Sequence, residues 1–367
     1  DYSNMINTDT ITPAVIETLE SKAKDAADAL LLIREQGMAK AHLSKDGTPE
    51  HVLFTKLPFV KNGNPNTPES IAKLKQFGSY LQQEIDAVVF LGVGGSYLGN
   101  KVLFDIFAGS GWNVGCEKRR HGYPRVYFSG NNLDVDQYSE VVDEVEYLAT
   151  HRLGKNEQFR VLLVPISKSG TTLETLAAFS YFYEQCQKSS LLQMEVAVVT
   201  DLDEDISPLY NLAKENVWQC FDIKEGIGGR FCIFSDPGLI TAAAIGMDID
   251  AFLCGARDME NACQSASLGE NPALLNAVLK YAAAEKGVDI EVFMPYAAKM
   301  KSVGEWYVQL LAESLGKRKD RKGNVVYYGR TPVSAVGSTD MHAQTQQHQD
   351  GKKDKVCLLY TSDAADE

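Results

Sequence analysis

Ser167-Lys168-Ser169-Gly170-Thr171-Thr172 places four hydroxyls and one lysine within six residues. Hydroxyls and backbone amides can surround a phosphate monoester while an ammonium supplies the counter-charge. The run follows the apolar stretch 159–167 and opens a helical pattern over 171–187. It therefore lies where a parallel strand passes into a helix, the end of an open sheet at which ligands bind. Ser and Thr are also favoured as helix N-caps, but one cap accounts for one hydroxyl. A second strand-to-helix loop is Leu91-Gly92-Val93-Gly94-Gly95-Ser96-Tyr97-Leu98-Gly99, whose glycines let amides approach an anion at a helix N-terminus. Its Gly-x-Gly-Gly-x-x-x-Gly spacing departs from the dinucleotide fingerprint, and no acidic residue ends a second strand about 20 residues on. Alone it suits a tight turn as well as a phosphate site. Neither loop has the Gly-Lys-Thr order of a nucleotide P-loop.

Other residues could handle protons and developing charge. Glu313 follows Gln309 by four residues, so a helix sets both on one face. Arg230 follows two glycines, and His342 stands alone near the end of the recognisable motifs. Taken singly, each has a plainer reading: a solvated helix-end glutamate, a surface-loop arginine and a structural histidine.

Taken in order, the stretches become specific. Gly94-Gly95-Ser96, then Ser167-Lys168-Ser169-Gly170-Thr171-Thr172-x-Glu174-Thr175, then Gly228-Gly229-Arg230-Phe231, then Gln309-x-x-x-Glu313-Ser314-x-Gly316-Lys317, then Thr339-Asp340-Met341-His342 resemble the phosphoglucose isomerase family of sugar-isomerase (SIS) domains. The likeness spans about residues 86–350. It implies an α/β fold of two doubly wound parallel-sheet SIS-type domains, the second incomplete. The expected divisions are an N-terminal helix and arm over 1–67, a first domain over 68–235 and a second over 236–356. The resemblance further implies reversible isomerisation of glucose 6-phosphate and fructose 6-phosphate through a cis-enediolate, in glycolysis and gluconeogenesis. Ser96, Ser167, Lys168, Ser169 and Thr172 would hold the substrate phosphate, Gly95 would also bind substrate, and Gln309 would line the same pocket. Glu313 would move a proton between carbons 2 and 1, and Arg230 would stabilise the enediolate. His342 would assist ring opening across the interface of a homodimer. No metal or organic cofactor is expected. The alternatives are another SIS-type phosphosugar isomerase and a non-catalytic sugar-phosphate-binding SIS protein; neither needs Arg230, Gln309, Glu313 and His342 in this order.

Two departures from the family stand out. Gly170 replaces a bulkier residue of some members, and a C-terminal segment that carries a glutamine and a catalytic lysine in the family has no counterpart here. The last eleven residues, Cys357–Glu367, resemble a translated sequencing adapter and are expected to be a non-native tail on a C-terminally truncated chain.

The elements that must position these residues are legible as periodicity. Thr12-Pro13 reads as a helix start and Gly37 as its stop, and residues 42–68 read as an irregular arm with four prolines. Short apolar strands over 86–93, 125–129, 159–167, 195–200 and 217–221 alternate with helical patterns over 69–83, 134–150 and 171–187, which predicts a parallel sheet. Helices are predicted over 251–268, 271–286 and 301–315, with strands over 290–294 and 325–328.

The chain has 367 residues, 44% hydrophobic and 23% charged, enough for about two domains with their own cores. Its net charge of -13 argues against nucleic acid or an anionic membrane as a partner. Seven cysteines without a Cys-x-x-Cys pair suit a reducing compartment, and no apolar run nears the ~20 residues of a membrane span. No secretory pattern opens the sequence, so a cytoplasmic location is expected.

Overall fold

Thr12 accepts a hydrogen bond from the Val15 N–H at 3.4 Å, Pro13 takes the first helical position, and Gly37 closes the helix in the left-handed region at φ 67°. These signals bound helix α1 (Pro13–Gln36) as the sequence predicts. The computed structural model describes residues 5, 11–43, 47–155 and 157–360, with the backbone alone at 40–42. The chain forms two compact units, one of residues 1–55 and 254–367, the other of residues 56–253. A short antiparallel hairpin, β1 (Met38–Leu43) with β2 (Pro49–His51), overlaps the start of the stretch read as an irregular arm.

The 56–253 unit carries helix α2 (Pro68–Glu84), strand β3 (Ala87–Leu91), helix α3 (Gly95–Leu103), β4 (Arg125–Ser129), α4 (Val135–Thr150), β5 (Phe159–Pro165), α5 (Leu173–Lys188), β6 (Leu192–Thr200), α6 (Pro208–Glu215), β7 (Gln219–Asp222) and α7 (Asp236–Ala244). The five strands form one parallel sheet in the order β4-β3-β5-β6-β7. Every residue of β3 is buried, as a strand covered on both faces requires. Val89, Leu91, Val161 and Leu163 pack on one face with Tyr138 and Leu148 of α4, Phe179 and Phe182 of α5, and Leu209 of α6. The opposite face is built partly of aromatic contacts. Phe77 of α2 meets Phe221 at 4.9 Å between ring centroids, and Phe104 meets Phe128 edge-on at 5.4 Å. Helix α7 packs on α2 and α3, so this unit extends beyond its last strand.

Helix α8 (Ile249–Ala262) carries the chain out of that unit. There follow α9 (Pro272–Ala284), β8 (Ile290–Pro295), α10 (Lys301–Leu315), β9 (Lys317–Lys319), β10 (Val325–Tyr328), β11 (Thr331–Ser334), α11 (Met341–Asp350) and β12 (Lys355–Tyr360). The parallel sheet here has the order β11-β8-β12. The strand predicted over 325–328 exists, but it pairs antiparallel with β9 and lies outside that sheet. Its four residues are all exposed, whereas Thr331–Ser334, too short and proline-interrupted to stand out in the sequence, pairs with β8. Of the eleven residues resembling an adapter, Cys357–Tyr360 continue β12 and pair with β8; residues 361–367 lie outside the described residues. Among the described residues, no helix is long and apolar enough to cross a membrane.

The junction of β7 and α7 contains a buried carboxyl. Asp236 accepts a hydrogen bond from the Asp222 N–H at 3.1 Å, and burial pushes its pKa up to about 6. A carboxyl raised in the folded state binds a proton that the unfolded chain releases, so stability falls as pH rises from about 4 to about 6. Asp236→Asn removes this dependence. Relative to wild type, its folding free energy should improve by about 2 kcal/mol between pH 4 and pH 8. Urea denaturation at the two pH values checks this; a difference that does not change with pH contradicts it.

Candidate active site

Strands β3 and β5 are neighbours, yet the connection after β3 leads outward to β4 and the one after β5 leads the other way to β6. Their carboxyl ends therefore open a crevice at the reversal of strand order, where doubly wound sheets bind ligands. Both hydroxyl- and glycine-rich loops leave from this point. Ser96 is half-buried in the first turn of α3; its N–H donates to Val93 O at 3.1 Å and its carbonyl accepts from Asn100 Nδ2 at 2.8 Å. After β5, Ser167 is buried, and its Oγ lies 2.8 Å from Thr172 Oγ1. Thr172 stands at the N-cap of α5 but makes no side-chain cap bond, so its hydroxyl is turned to Ser167 instead. Ser169 Oγ and Thr171 Oγ1 form a second hydroxyl pair at 2.8 Å. Lys168 and Ser169 are exposed at the rim.

The third motif comes to the same end of the sheet. Residues Gly229–Phe234 form a 3-10 turn packed on α3. A Cβ on Gly95 would lie 2.3 Å from the Gly229 carbonyl carbon, so the two backbones touch where any side chain would separate them. Arg230 is half-buried, with its guanidinium 5.2 Å from the Phe231 ring centroid. Burial pushes the neighbouring Cys232 thiol up to about 11, and the Lys168 ammonium opposes that rise. Thus Gly95, Ser96, Ser167, Lys168, Ser169, Thr172 and Arg230 all belong to one unit and cluster around its sheet's carboxyl edge.

Gln309, Glu313 and His342 belong to the other unit. Gln309 Nε2 donates to Glu313 Oε1 at 2.9 Å on α10, the pairing expected of residues four apart. Helix α10 is fixed to its sheet by a buried ion cluster. Glu291 of β8, fully buried, receives Lys280 Nζ at 2.5 Å, Arg330 Nε at 3.2 Å and the Tyr307 hydroxyl of α10. Burial pulls the Lys280 pKa down and raises that of Tyr307. His342 is exposed in the first turn of α11. Among the described residues, no three His, Cys, Asp or Glu side chains form a metal-binding group.

Thr200 and Ser207 carry no motif, yet both are fully buried beneath the Ser167–Thr172 loop. Thr200 Oγ1 donates to Ser167 O at 2.7 Å and lies 2.6 Å from Ser207 Oγ. The signals that point to them are a hydroxyl at the end of an apolar strand and a Ser-Pro helix start.

The phosphoglucose isomerase family model matches residues 69–353, most of the chain. The chain belongs to the phosphoglucose isomerase family. It is similar to the glucose-6-phosphate isomerase of Carboxydothermus hydrogenoformans, 34% identical over 306 residues that cover 83% of this chain and 62% of that protein. It is also similar to the glucose-6-phosphate isomerase of Methanocaldococcus jannaschii, 33% identical over 288 residues that cover 78% of this chain and 62% of the relative. This phosphoglucose isomerase family chain thus spans about three-fifths of the length of those relatives. Among solved structures, a hypothetical protein of Thermus thermophilus matches with TM-score 0.71 and 28% identity, covering 95% of this chain and 72% of that one. A glucose-6-phosphate isomerase from Chlamydia trachomatis matches in fold with TM-score 0.73 and 24% identity, covering 94% of this chain and 65% of that one.

The Gly95–Gly229 approach is asymmetric. A Cβ on Gly229 would meet no atom closer than 3.6 Å, ordinary contact. Gly95→Ala should therefore cost about 2 kcal/mol or more in denaturant melts, and Gly229→Ala less than about 1 kcal/mol. Equal costs would show that the close approach does not hold the two loops together.

Proposed function

We propose that this protein isomerises a phosphorylated sugar, interconverting glucose 6-phosphate and fructose 6-phosphate through a cis-enediolate. The observation that carries this reading is the convergence of the Ser96, Ser167–Thr172 and Arg230 loops at the strand-order reversal of a phosphoglucose isomerase family chain. The buried hydroxyl pair Ser167–Thr172, together with Ser96, Ser169, the amide of Gly95 and the Lys168 ammonium, suits a phosphate dianion. Arg230 supplies the fixed cation that an enediolate oxygen requires. Glu313 removes the proton from carbon 2 of the aldose and returns it to carbon 1, with Gln309 holding the carboxylate through its amide; one carboxylate within reach of both carbons is sufficient. His342 assists ring opening, given from the partner subunit of a homodimer.

The divisions at 68–235 and 236–356 are proposed as the two SIS-type domains on the strength of two separate parallel sheets, with α7 at the start of the second stretch packed on the first. A cytoplasmic location is supported by the acidic charge and by cysteines that are all free.

Two tests follow from these roles. Incubated with glucose 6-phosphate in deuterium oxide, the protein should incorporate deuterium at carbon 2. Glu313→Gln should lower that rate by about a thousandfold or more while changing the binding constant less than about threefold. Retained exchange in the variant would overturn the assignment of the base. Ser167→Ala and Thr172→Ala should each weaken glucose 6-phosphate binding by about tenfold, measured calorimetrically, and leave binding of unphosphorylated glucose unchanged. Equal losses for both sugars would overturn the phosphate assignment.

A further inference from the structure

The backbone of the loop from Ser167 to Thr172 is held from below. Ser167 N–H donates to Val199 O at 3.0 Å, and Asp201 N–H donates to Lys168 O at 3.2 Å. The carbonyl of Ser167 accepts twice, from Gly170 N–H at 3.2 Å and from Thr200 Oγ1 at 2.7 Å. Because Thr200 spends its hydroxyl proton on that carbonyl, the contact with Ser207 Oγ at 2.6 Å runs from Ser207 to Thr200. Ser207 in turn accepts from Tyr210 N–H at 3.2 Å, as the N-cap of α6. The result is one directed chain from the first turn of α6 through Ser207 and Thr200 to the Ser167 carbonyl. Three of its members, Ser167, Thr200 and Ser207, are buried, so no water competes for these bonds.

Gly170 fits the same device. It adopts φ +64°, and a Cβ there would lie 2.2 Å from Ser207 Oγ. The serine hydroxyl therefore occupies the space under the loop that a side chain at 170 would take, and Gly170 is required by Ser207 as much as by the turn. With both loop carbonyls drawn onto the end of β6, the hydroxyl pairs of the loop, and those of its amides not spent on Val199, Ser167 and Ser169, are left for a ligand.

We infer that Thr200 and Ser207 are positioning residues for the phosphate loop, which they lock in its anion-binding shape through the Ser167 carbonyl. This rests on the phosphate reading given above. Their effect should appear in affinity for phosphate and not only in stability, because the loop can rearrange while the sheet beneath it stays folded.

The test uses the whole chain, with inorganic phosphate and glucose 6-phosphate as probes, calorimetric binding constants and melting temperatures. Thr200→Val keeps the shape and removes the donor; it should weaken both ligands about tenfold, the value of one buried hydrogen bond. Thr200→Ser restores the donor and should bind within about twofold of wild type. Ser207→Ala, which leaves Thr200 in place, should give an intermediate loss of about threefold and serves if the valine variant does not fold. Ser167→Ala reports on the phosphate reading itself. If Ser167→Ala weakens binding and neither Thr200→Val nor Ser207→Ala does, the positioning role is overturned and the phosphate site stands. If Ser167→Ala leaves both ligands unaffected, the phosphate reading fails and takes this inference with it. A fall in melting temperature with unchanged binding constants also overturns it, since that is what a merely structural pair would do.

Discussion

The reversal of strand order between β3 and β5 is the constraint on which the candidate site depends. The connections after β3 and β5 carry the chain away on opposite sides of this point, which leaves a crevice at the carboxyl ends of these two strands. Chemistry-bearing residues placed there lie beside one another even though Ser96, Ser167 and Arg230 are far apart in sequence. Strand β3, at the centre of this arrangement, is buried along its whole length. Mobility at the edge is then limited by local devices: the bare contact of Gly95 with Gly229, and the bonds that draw the Ser167 and Lys168 carbonyls onto β6.

The other unit solves a related problem with charge. Helix α10, which carries Gln309 and Glu313, is not held by apolar packing alone. Tyr307 on that helix reaches the Glu291 carboxylate, which Lys280 and Arg330 also contact. Removing one partner from such a buried cluster costs about 3–5 kcal/mol, because the remaining charge loses its compensation. The arrangement therefore gains little stability over an apolar core of the same volume, but it ties one turn of α10 to one residue of β8.

Much of this was legible in the sequence because local signals and tertiary demands agree. Thr12, Pro13 and Gly37 bound α1, and the apolar runs read over 86–93, 125–129 and 159–167 form the strands Ala87–Leu91, Arg125–Ser129 and Phe159–Pro165 between helices. The Ser167–Thr172 hydroxyls stood out because one cap cannot use them all, and Thr172 indeed makes no side-chain cap bond. What remained hidden depends on approach through space. Thr331–Ser334 is short and interrupted by Pro332, and becomes a strand only through its parallel pairing with β8. The exposed run Val325–Tyr328 shows the converse, an apolar pattern without a buried face. Thr200 and Ser207 are ordinary residues until the loop above them is seen, and Glu291 is an isolated acid in an apolar strand until its two cations arrive from Lys280 and Arg330.

On the proposed function, the crevice at the carboxyl ends of β3 and β5 receives the phosphate of the sugar. Amide chemical-shift mapping with 15N-labelled protein and glucose 6-phosphate tests it most directly. Saturable shifts should concentrate at Gly95, Ser96 and residues 167–172, and inorganic phosphate should reproduce them at the same positions. Shifts centred elsewhere, for example on the apolar cavity of about 450 Å3 bordered by Leu19, Tyr281 and Tyr328, would contradict the account.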